Sequence, residues 1–318
     1  MSTRVMGNRA VKPRGFWQRL WEQRQLAVMS VPMLLYVLLF NYAPLWGWIT
    51  AFMNYKPAKA LFSNQFVGLK NFQWLFSRPE FMLAIRNTFA MSVITLVFNT
   101  VSAVVLAVLL NEIKLRWFKR GVQTVTYLPH FLSWVIVVGL AQNAFATDGA
   151  VNQLLLGLGL IRQPLFFLGE GRYFWWLVGT IHIWKECGWN SIIYLSSMSS
   201  IDPALYEAAK IDGAGRWHEI IHITLPGIKS TFVILLIMNI GMLMGGTNEG
   251  NFDIPYLMGQ NLLIDWSQTI DIFVLKYGIA QGQYGRATAA GIFKSLVSIV
   301  LLYSANRVAK RLDEPTLV

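Results

Sequence analysis

A polar stretch between two long apolar runs reads PALYEAAKIDGAGRWHEIIHITLP over residues 203–226. Asp202 precedes it and Pro203 opens it, and these residue types are favoured at the N-cap and at the first position of a helix. Apolar side chains share one face of that helix, at Ile201, Leu205, Ala208 and Ile211. The sequence therefore predicts a short amphipathic helix between two membrane spans, with a slim face that a partner can grip.

The composition places most of the chain in a bilayer. Of its 318 residues, 55% are hydrophobic and 14% are charged, whereas soluble domains are close to a quarter charged. Alternating segments of ~10 residues, which would indicate a β-barrel, are not found. We therefore expect an all-α integral membrane protein with six transmembrane helices and a cytoplasmic coupling helix. Each span has close to the ~20 residues that cross ~30 Å of hydrocarbon, and the spans lie near 27–50, 84–110, 122–146, 174–198, 229–247 and 287–306.

The net charge of +11 is distributed along the chain in alternation. Basic residues concentrate before the first apolar run, in the connection around 112–120 and after the last run. This alternation is typical of cytoplasmic loops, so both termini are expected in the cytoplasm. It disfavours nucleic-acid binding, which needs a basic patch on one folded face. We divide the chain into a cytoplasmic basic amphipathic segment (1–26), a six-span domain (27–306) that includes the loop 200–228, and a cytoplasmic tail (307–318).

The loop also carries a spaced motif. Glu207-Ala208-Ala209 is followed after three residues by Gly213, and after nine more by Ile223-Thr224-Leu225-Pro226. This spacing resembles the EAA loop of permease subunits in bacterial ABC importers that depend on a binding protein. Other segments are similar to the sugar-importing branch, and most similar to permeases for oligosaccharides and polysaccharides, including the larger permease subunit of the alginate importer. These segments are Tyr42-Ala43-Pro44, Val67-Gly68-Leu69-Lys70-Asn71-Phe72, Tyr127-Leu128-Pro129, Ser133-Trp134-Val135-Ile136 and Gly282-Gln283-Tyr284.

The resemblance implies a maltose-type importer permease fold in the bacterial cytoplasmic (inner) membrane. It implies a heterodimer with a second permease subunit, a cytoplasmic ATPase dimer and an extracytoplasmic solute-binding protein. ATP and Mg would bind to the ATPase, and no cofactor is expected on this chain. The loop would sit in a cleft of the ATPase and couple its closure to alternating access. The motif assigns this coupling role to Glu207, Ala208, Ala209, Asp212, Gly213, Ile223, Leu225 and Pro226.

Patterns of catalytic residues are not found in the sequence. The chain has no Gly-x-x-x-x-Gly-Lys-Ser/Thr loop, so ATP hydrolysis is expected on another polypeptide. It also has no Gly-x-Ser-x-Gly or His-Glu-x-x-His motif. His218 and His222 can share a helix face, but no third ligand lies near them. A single cysteine, Cys187, excludes a cysteine metal site. We expect no catalytic residue and no metal site.

Polar side chains within the spans are candidates for the substrate path, because such groups are costly in hydrocarbon and tend to face a cavity or another helix. The fourth span is the richest, since it also holds His182, Trp184 and Trp189. The path predicted from these patterns comprises Asn99, Lys185, Glu186, Asn190, Tyr194 and Asn239.

The charges in the spans bear on the substrate. Lys185 and Glu186 are adjacent, so we expect them to point to different sides of the helix. Lys294 and Arg86 add positive charge, although Arg86 can instead extend to the lipid headgroups. The surplus of positive charge favours an acidic saccharide, such as a uronate oligomer.

Alternative functions have distinct requirements. A stand-alone secondary transporter or channel would need neither a coupling loop nor an ATPase. A membrane enzyme acting on lipid-linked sugars would need an acidic or metal-binding cluster near one membrane face, which the loops do not provide.

Overall fold

The computed structural model describes residues 23–244, 250–259 and 261–317. Helices account for most of these residues, and between them the described chain has only one isolated β-bridge, Met53 with Phe66. The chain separates into two compact units, residues 1–49 and 50–318. Most of the predicted basic segment (1–22) and the end of the predicted fifth span (245–247) lie outside the described residues.

In the first unit, the helix α1 (Arg24–Val37) continues into a π-helical turn, Leu38–Tyr42. A 3-10 helix, Ala43–Phe52, follows directly and extends into the second unit. The whole segment Arg24–Phe52 has 29 residues and is apolar enough to cross a membrane. The structure therefore confirms that the predicted first span is helical.

The second unit contains all other described helices. In chain order they are α2 (Lys70–Phe76), α3 (Pro79–Glu112), α4 (Arg116–Tyr127), α5 (Trp134–Ala144), α6 (Ala150–Gly157), α7 (Gly171–Met198), α8 (Pro203–Ile211), α9 (Arg216–Glu219), α10 (Leu225–Gly227), α11 (Lys229–Gly241), α12 (Gly250–Met258), α13 (Ile264–Ser267), α14 (Ile270–Val274) and α15 (Tyr284–Arg311).

Among the described residues, three continuous helices are long and apolar enough to span a membrane: Arg24–Phe52, α3 and α15. Two further pairs of helices are long and apolar enough when each pair is taken together, and each pair is bent at a short break. Arg116–Phe131 and α5 meet at 106°, and Arg216–Gly227 meets α11 at 56°. α7 covers the predicted fourth span, but its polar residues keep it out of this group. The predicted third span is thus a broken helix, which hydropathy alone does not reveal, and the predicted fifth span begins directly after a bend at Ile228.

The break in the third span has a local cause. Pro129 has no N–H to donate, and a 3-10 turn, Leu128–Phe131, ends the first half of the span. Ser133 then caps α5, since its hydroxyl accepts a hydrogen bond from the Ile136 N–H at 3.4 Å. Non-helical backbone at membrane depth is tolerated where it lines a cavity or is buried in protein.

α3 and α7 pack along each other and connect three apolar clusters. The first cluster centres on Phe81 and Phe273, and the second on Met91, Trp134 and Phe174. The third cluster lies at the other end of α3 and α7. Its buried members are Ala103, Ala107, Tyr194, Met198 and Ile228, with Ile201, Phe232 and Leu235 packed against them.

Candidate functional site

A cavity of about 840 Å³ lies between α3, α5, α7 and α11. All six residues predicted for the substrate path line it: Asn99, Lys185, Glu186, Asn190, Tyr194 and Asn239. The structure thus brings side chains from three separate spans to one space, while their contact with substrate stays a prediction. The other polar residues in its lining are Ser92, Thr95, Thr100, His130, Ser133, His182 and Asp253.

The broken third span forms one wall of the cavity, through His130, Leu132, Ser133, Trp134 and Val135. These residues reach α7 because Gly188 allows a close approach. A Cβ built on Gly188 would stand only 2.0 Å from the carbonyl oxygen of Thr126. The helix crossing therefore depends on glycine at this position.

Lys185 holds the break in the third span. Its ammonium Nζ donates a hydrogen bond to the main-chain carbonyl of His130 at 2.6 Å, and that carbonyl lies in the turn where the regular helix has ended. Nζ also lies 5.0 Å from the ring centroid of Trp134, on the other side of the break. The side chain is only 4% exposed. A buried charge is costly unless it is paired, and this one has several partners.

Glu186 completes the same cluster. Its Oε1 lies 3.3 Å from Lys185 Nζ, and its Oε2 accepts a hydrogen bond from His130 Nδ1 at 2.7 Å. The expectation that Lys185 and Glu186 point to different sides is therefore wrong. Neighbouring residues on a helix diverge at Cα, but the long lysine stem lets both head groups converge on the broken segment. The two charges neutralise each other at the cavity wall.

The positive charges expected from other spans are engaged elsewhere. Lys294 forms an ion pair with Asp271. Arg86 donates to the carbonyl of Asp265 at 2.5 Å and lies over the rings of Trp175 and Trp266. Neither side chain lines the cavity, so the argument for an acidic substrate from a surplus of positive charge is wrong.

Two polar atoms at the cavity are without a hydrogen-bond partner among the described residues. They are Nε2 of His182 and Oδ1 of Asn99. The His182 ring packs against the ring of Trp134, with 4.8 Å between the ring centroids. Buried polar atoms are nearly always hydrogen-bonded. Both atoms are themselves shielded from solvent, so a ligand hydroxyl reaches them only when the cavity wall moves.

The aromatic residues expected near the path have different positions. Trp184 and Trp189 do not line the cavity. Trp189 stacks on the ring of His130, with 4.3 Å between centroids and an interplanar angle of 4°. It therefore supports the break from outside the cavity.

The predicted loop helix is confirmed as α8. The Asp202 carboxylate accepts from the Ala204 N–H at 2.9 Å, and Pro203 is the first helical residue. Gly213 has φ +78°, a left-handed conformation that favours glycine, and it turns the chain out of the helix. Part of the predicted apolar stripe is open to a partner, since Leu205 and Ile211 are 53% and 87% exposed.

The second half of the loop connects α8 to the fifth span. α9 runs through a π-helical turn, Ile220–Thr224, into α10, and the chain bends at Ile228 before α11. Pro226 therefore lies just before the bend. The Tyr206 hydroxyl is hydrogen-bonded to Oγ1 of the buried Thr224 at 3.0 Å, which ties the two halves of the loop together.

The third apolar cluster joins this loop to the cavity. Ile201, at the start of the loop, and Ile228, at its end, both pack in the cluster. Three cluster members, Ala103, Tyr194 and Leu235, also line the cavity. The loop and the cavity wall are therefore joined through tightly packed side chains.

The two histidines of the loop do not form a metal centre. Their rings stack with centroids 5.5 Å apart, and His222 Nδ1 lies 3.2 Å from the carbonyl of His218. Over the described part of the chain, no three His, Cys, Asp or Glu side chains are grouped as metal ligands.

Residues 99–314 match the family described as the binding-protein-dependent transport system inner membrane component. The chain belongs to this family. It is a permease subunit of an ABC transporter, a multi-pass protein of the inner membrane, and not itself an enzyme.

Similar proteins span nearly the whole permease. The polygalacturonan/rhamnogalacturonan transport system permease protein YteP of Bacillus subtilis (strain 168) is 41% identical over 93% of this chain and 91% of its own length. Protein LplB of the same strain is 39% identical, over 91% of this chain and 89% of its own.

Solved structures agree with this assignment. One chain of a bacterial alginate ABC transporter, in complex with a periplasmic protein bound to an alginate pentasaccharide, is 34% identical with a TM-score of 0.84. The match covers 95% of this chain and 99% of that one. A structure of a bacterial ABC transporter that imports the acidic polysaccharide alginate is 35% identical, with a TM-score of 0.82 and coverage of 93% and 98%.

Sequence reasoning missed several residues of the permease cavity. His130 and Trp134 lie within the predicted third span (122–146), and Asp253 lies in the connection between the predicted fifth and sixth spans. Pro129 followed by Ser133 was the available signal, because a proline and then an N-cap residue indicate that a helix stops and restarts. No comparable signal precedes Asp253.

Proposed function

We propose that this permease forms half of the translocation path of an ATP-driven importer of oligo- or polysaccharides, and that its substrate is an acidic polymer of the uronate type. The relatives support the substrate class, since their names specify polygalacturonan/rhamnogalacturonan and the acidic polysaccharide alginate. The cavity independently supports a saccharide, because most of the polar residues in its lining carry hydroxyl, amide or imidazole groups that suit a sugar.

Within the cavity, we assign different tasks to the six predicted residues. Lys185 and Glu186 are engaged with the broken helix, so they shape the wall and hold little net charge for a ligand. Asn99, Asn190, Tyr194 and Asn239 are left to contact the saccharide, together with His182. On this assignment the residues of the path bind the hydroxyl groups of the saccharide, and its carboxylate groups are recognised elsewhere in the transporter.

The partners follow from the family. Its description requires a binding protein, which would be extracytoplasmic and deliver the saccharide. A second permease subunit would close the path, and a cytoplasmic ATPase dimer would bind ATP and Mg. This chain has no phosphate-binding loop of its own. Both termini and the loop 200–228 would lie in the cytoplasm, as the distribution of basic residues indicates.

The observation that carries the coupling role is the packed connection between loop and cavity. The ATPase would hold α8 at its exposed stripe, with Glu207, Ala208, Ala209 and Asp212 at the contact and Gly213 at the turn. Ile223, Leu225 and Pro226 would carry the movement to the bend at Ile228. The third apolar cluster would then shift Ala103, Tyr194 and Leu235 at the cavity.

The test is ATPase activity of the reconstituted transporter, measured with and without the saccharide-loaded binding protein. Glu207→Ala is expected to abolish most of the stimulation while the complex still assembles. Arg216→Ala is the matched control, since Arg216 is an exposed charge of the same loop outside the motif. Unchanged stimulation in Glu207→Ala would contradict the coupling role. Uptake by the purified chain alone, driven by an ion gradient, would instead identify a secondary transporter or channel.

A further inference from the structure

Another cleft, of about 420 Å³, opens along the last turns of α15. Its lining consists of Tyr303, Ser304, Arg307, Val308 and Arg311. None of these residues lines the large cavity or belongs to the loop 200–228. The cleft is therefore separate from both parts of the proposed transport machinery.

The face of α15 that leads to this cleft is apolar and exposed. Leu296, Ile299, Val300 and Tyr303 recur at helical spacing, and each is more than half exposed. α15 is also one of the helices that are long and apolar enough to cross a membrane. Such a face suits contact with acyl chains, and a tyrosine at its end suits the membrane–water interface, where aromatic residues are enriched.

Arg307 and Arg311 continue the same face beyond Tyr303. They lie one turn apart, about 6 Å along the helix axis, and both are exposed. Within the described ranges, neither guanidinium makes a hydrogen bond or an ion pair. Other cations near the helix do have partners, since Lys229 pairs with Glu314 and Lys294 with Asp271. The cleft thus holds two forked donors whose geometry suits phosphate oxygens.

We propose that the cleft of Arg307 and Arg311 binds the headgroup phosphate of an anionic phospholipid, whose acyl chain lies along Leu296, Ile299 and Val300. The order along the helix, from apolar to aromatic to basic, matches the order of a lipid from tail to interface to phosphate. A soluble phosphate would use the arginines alone and gain nothing from the apolar face. The proposal depends on α15 spanning the membrane and is independent of the transported substrate.

The experiment uses the purified transporter complex in detergent, titrated with phosphatidylglycerol, with bound lipid counted by native mass spectrometry. Wild type is compared with Arg307→Gln/Arg311→Gln. Lys310→Gln is the matched control, because it removes one charge from the same last turn without touching the cleft. Each basic side chain near an anionic lipid surface contributes about fivefold in binding. A hydrogen bond to a charged group contributes about tenfold or more. We therefore expect the double variant to need about a hundredfold more phosphatidylglycerol, and the control to need no more than the about fivefold that general attraction explains.

Several results would overturn the proposal. An equal loss in Lys310→Gln would indicate general attraction to a basic helix end, and displacement by inorganic phosphate would indicate a free-anion site. Loss of a protein subunit from the double variant, with lipid binding unchanged, would assign the cleft to a protein interface. If the double variant does not assemble, Arg311→Gln alone is measured. A loss of about tenfold or more supports the proposal, whereas a loss no larger than that in Lys310→Gln contradicts it.

Discussion

The ammonium of Lys185 lies 2.6 Å from the main-chain carbonyl oxygen of His130, and this hydrogen bond joins the fourth span to the broken part of the third. Glu186 reaches the side chain of the same histidine. Lys185 and Glu186 thus form hydrogen bonds with both the main-chain carbonyl and the side-chain ring of His130 at the break. Lys185 and Glu186, which the sequence predicts for the substrate path, stabilise the broken helix at the wall of the cavity.

Replacing Lys185 with methionine removes this support and leaves Glu186 without its cation. Breaking one partner of a buried pair typically costs about 3–5 kcal/mol, so we expect a clear fall in the Tm of the purified complex. Lys185→Met/Glu186→Gln should recover part of the loss, because no unpaired charge remains. Lys294→Met is the control, as its pair with Asp271 lies away from the cavity. An unchanged Tm in Lys185→Met would contradict the structural task.

Gly213 is expected to tolerate asparagine better than valine. Its φ of +78° is costly for a side chain with a β-branch, whereas asparagine enters the left-handed region more readily. Nothing lies within 4 Å of a Cβ built there, so backbone strain and not crowding decides the outcome. Gly213→Val should lose most stimulated ATPase activity and Gly213→Asn should keep most of it. Equal losses of stimulated ATPase activity in the two variants would show that coupling does not depend on the left-handed backbone conformation at this turn.

Tyr206→Phe removes only the hydroxyl that is bound to Thr224. A hydrogen bond of this kind contributes about 1 kcal/mol, and its loss leaves a buried hydroxyl with a weaker partner. We expect a several-fold drop in the stimulated ATPase rate, with basal hydrolysis and assembly retained. Tyr36→Phe, at an exposed tyrosine that belongs neither to the loop nor to either cleft, serves for comparison. A drop in basal and stimulated rates together would point to a folding defect instead.

His182→Phe and Asn99→Leu each remove a cavity atom that has no partner among the described residues. If these atoms bind sugar hydroxyls, transport of an oligogalacturonate into proteoliposomes should fall about tenfold for each, in line with the loss of one or two hydrogen bonds. Binding of the loaded binding protein should be unchanged. Trp184→Phe, outside the cavity lining, should transport normally. Normal transport by both cavity variants would remove them from the path.

Much of the architecture could be predicted from the sequence, because the apolar runs had to become helices in a bilayer. The loop helix followed from Asp202, Pro203 and Gly213, whose preferences are local. The polar residues of α3, α7 and α11 could be predicted to line one cavity. Polar side chains at membrane depth are costly in contact with lipid, so they face a cavity or a neighbouring helix.

The rest depended on contacts between distant segments. Hydropathy continues through Leu132 and Ser133 without a change, so only the local signal of Pro129 and Ser133 indicated the break. The hydrogen bond from Lys185 to the His130 carbonyl could not be predicted, because it joins two distant segments. The interaction partners of Arg86 and Lys294 could not be predicted either, because Asp265 and Asp271 belong to a connection with no periodic pattern. Counting the charged residues in each span therefore overestimated the positive charge at the cavity.

The support of the break by Lys185 also has a consequence for biosynthesis. His130 and Lys185 are 55 residues apart, so the ribosome delivers the broken segment to the membrane well before the side chain that satisfies it. An exposed carbonyl in hydrocarbon is costly. The third span must therefore either enter the lipid as a straight helix that bends later or wait beside the translocon until the fourth arrives. Insertion of these two spans is thus an ordered, paired event.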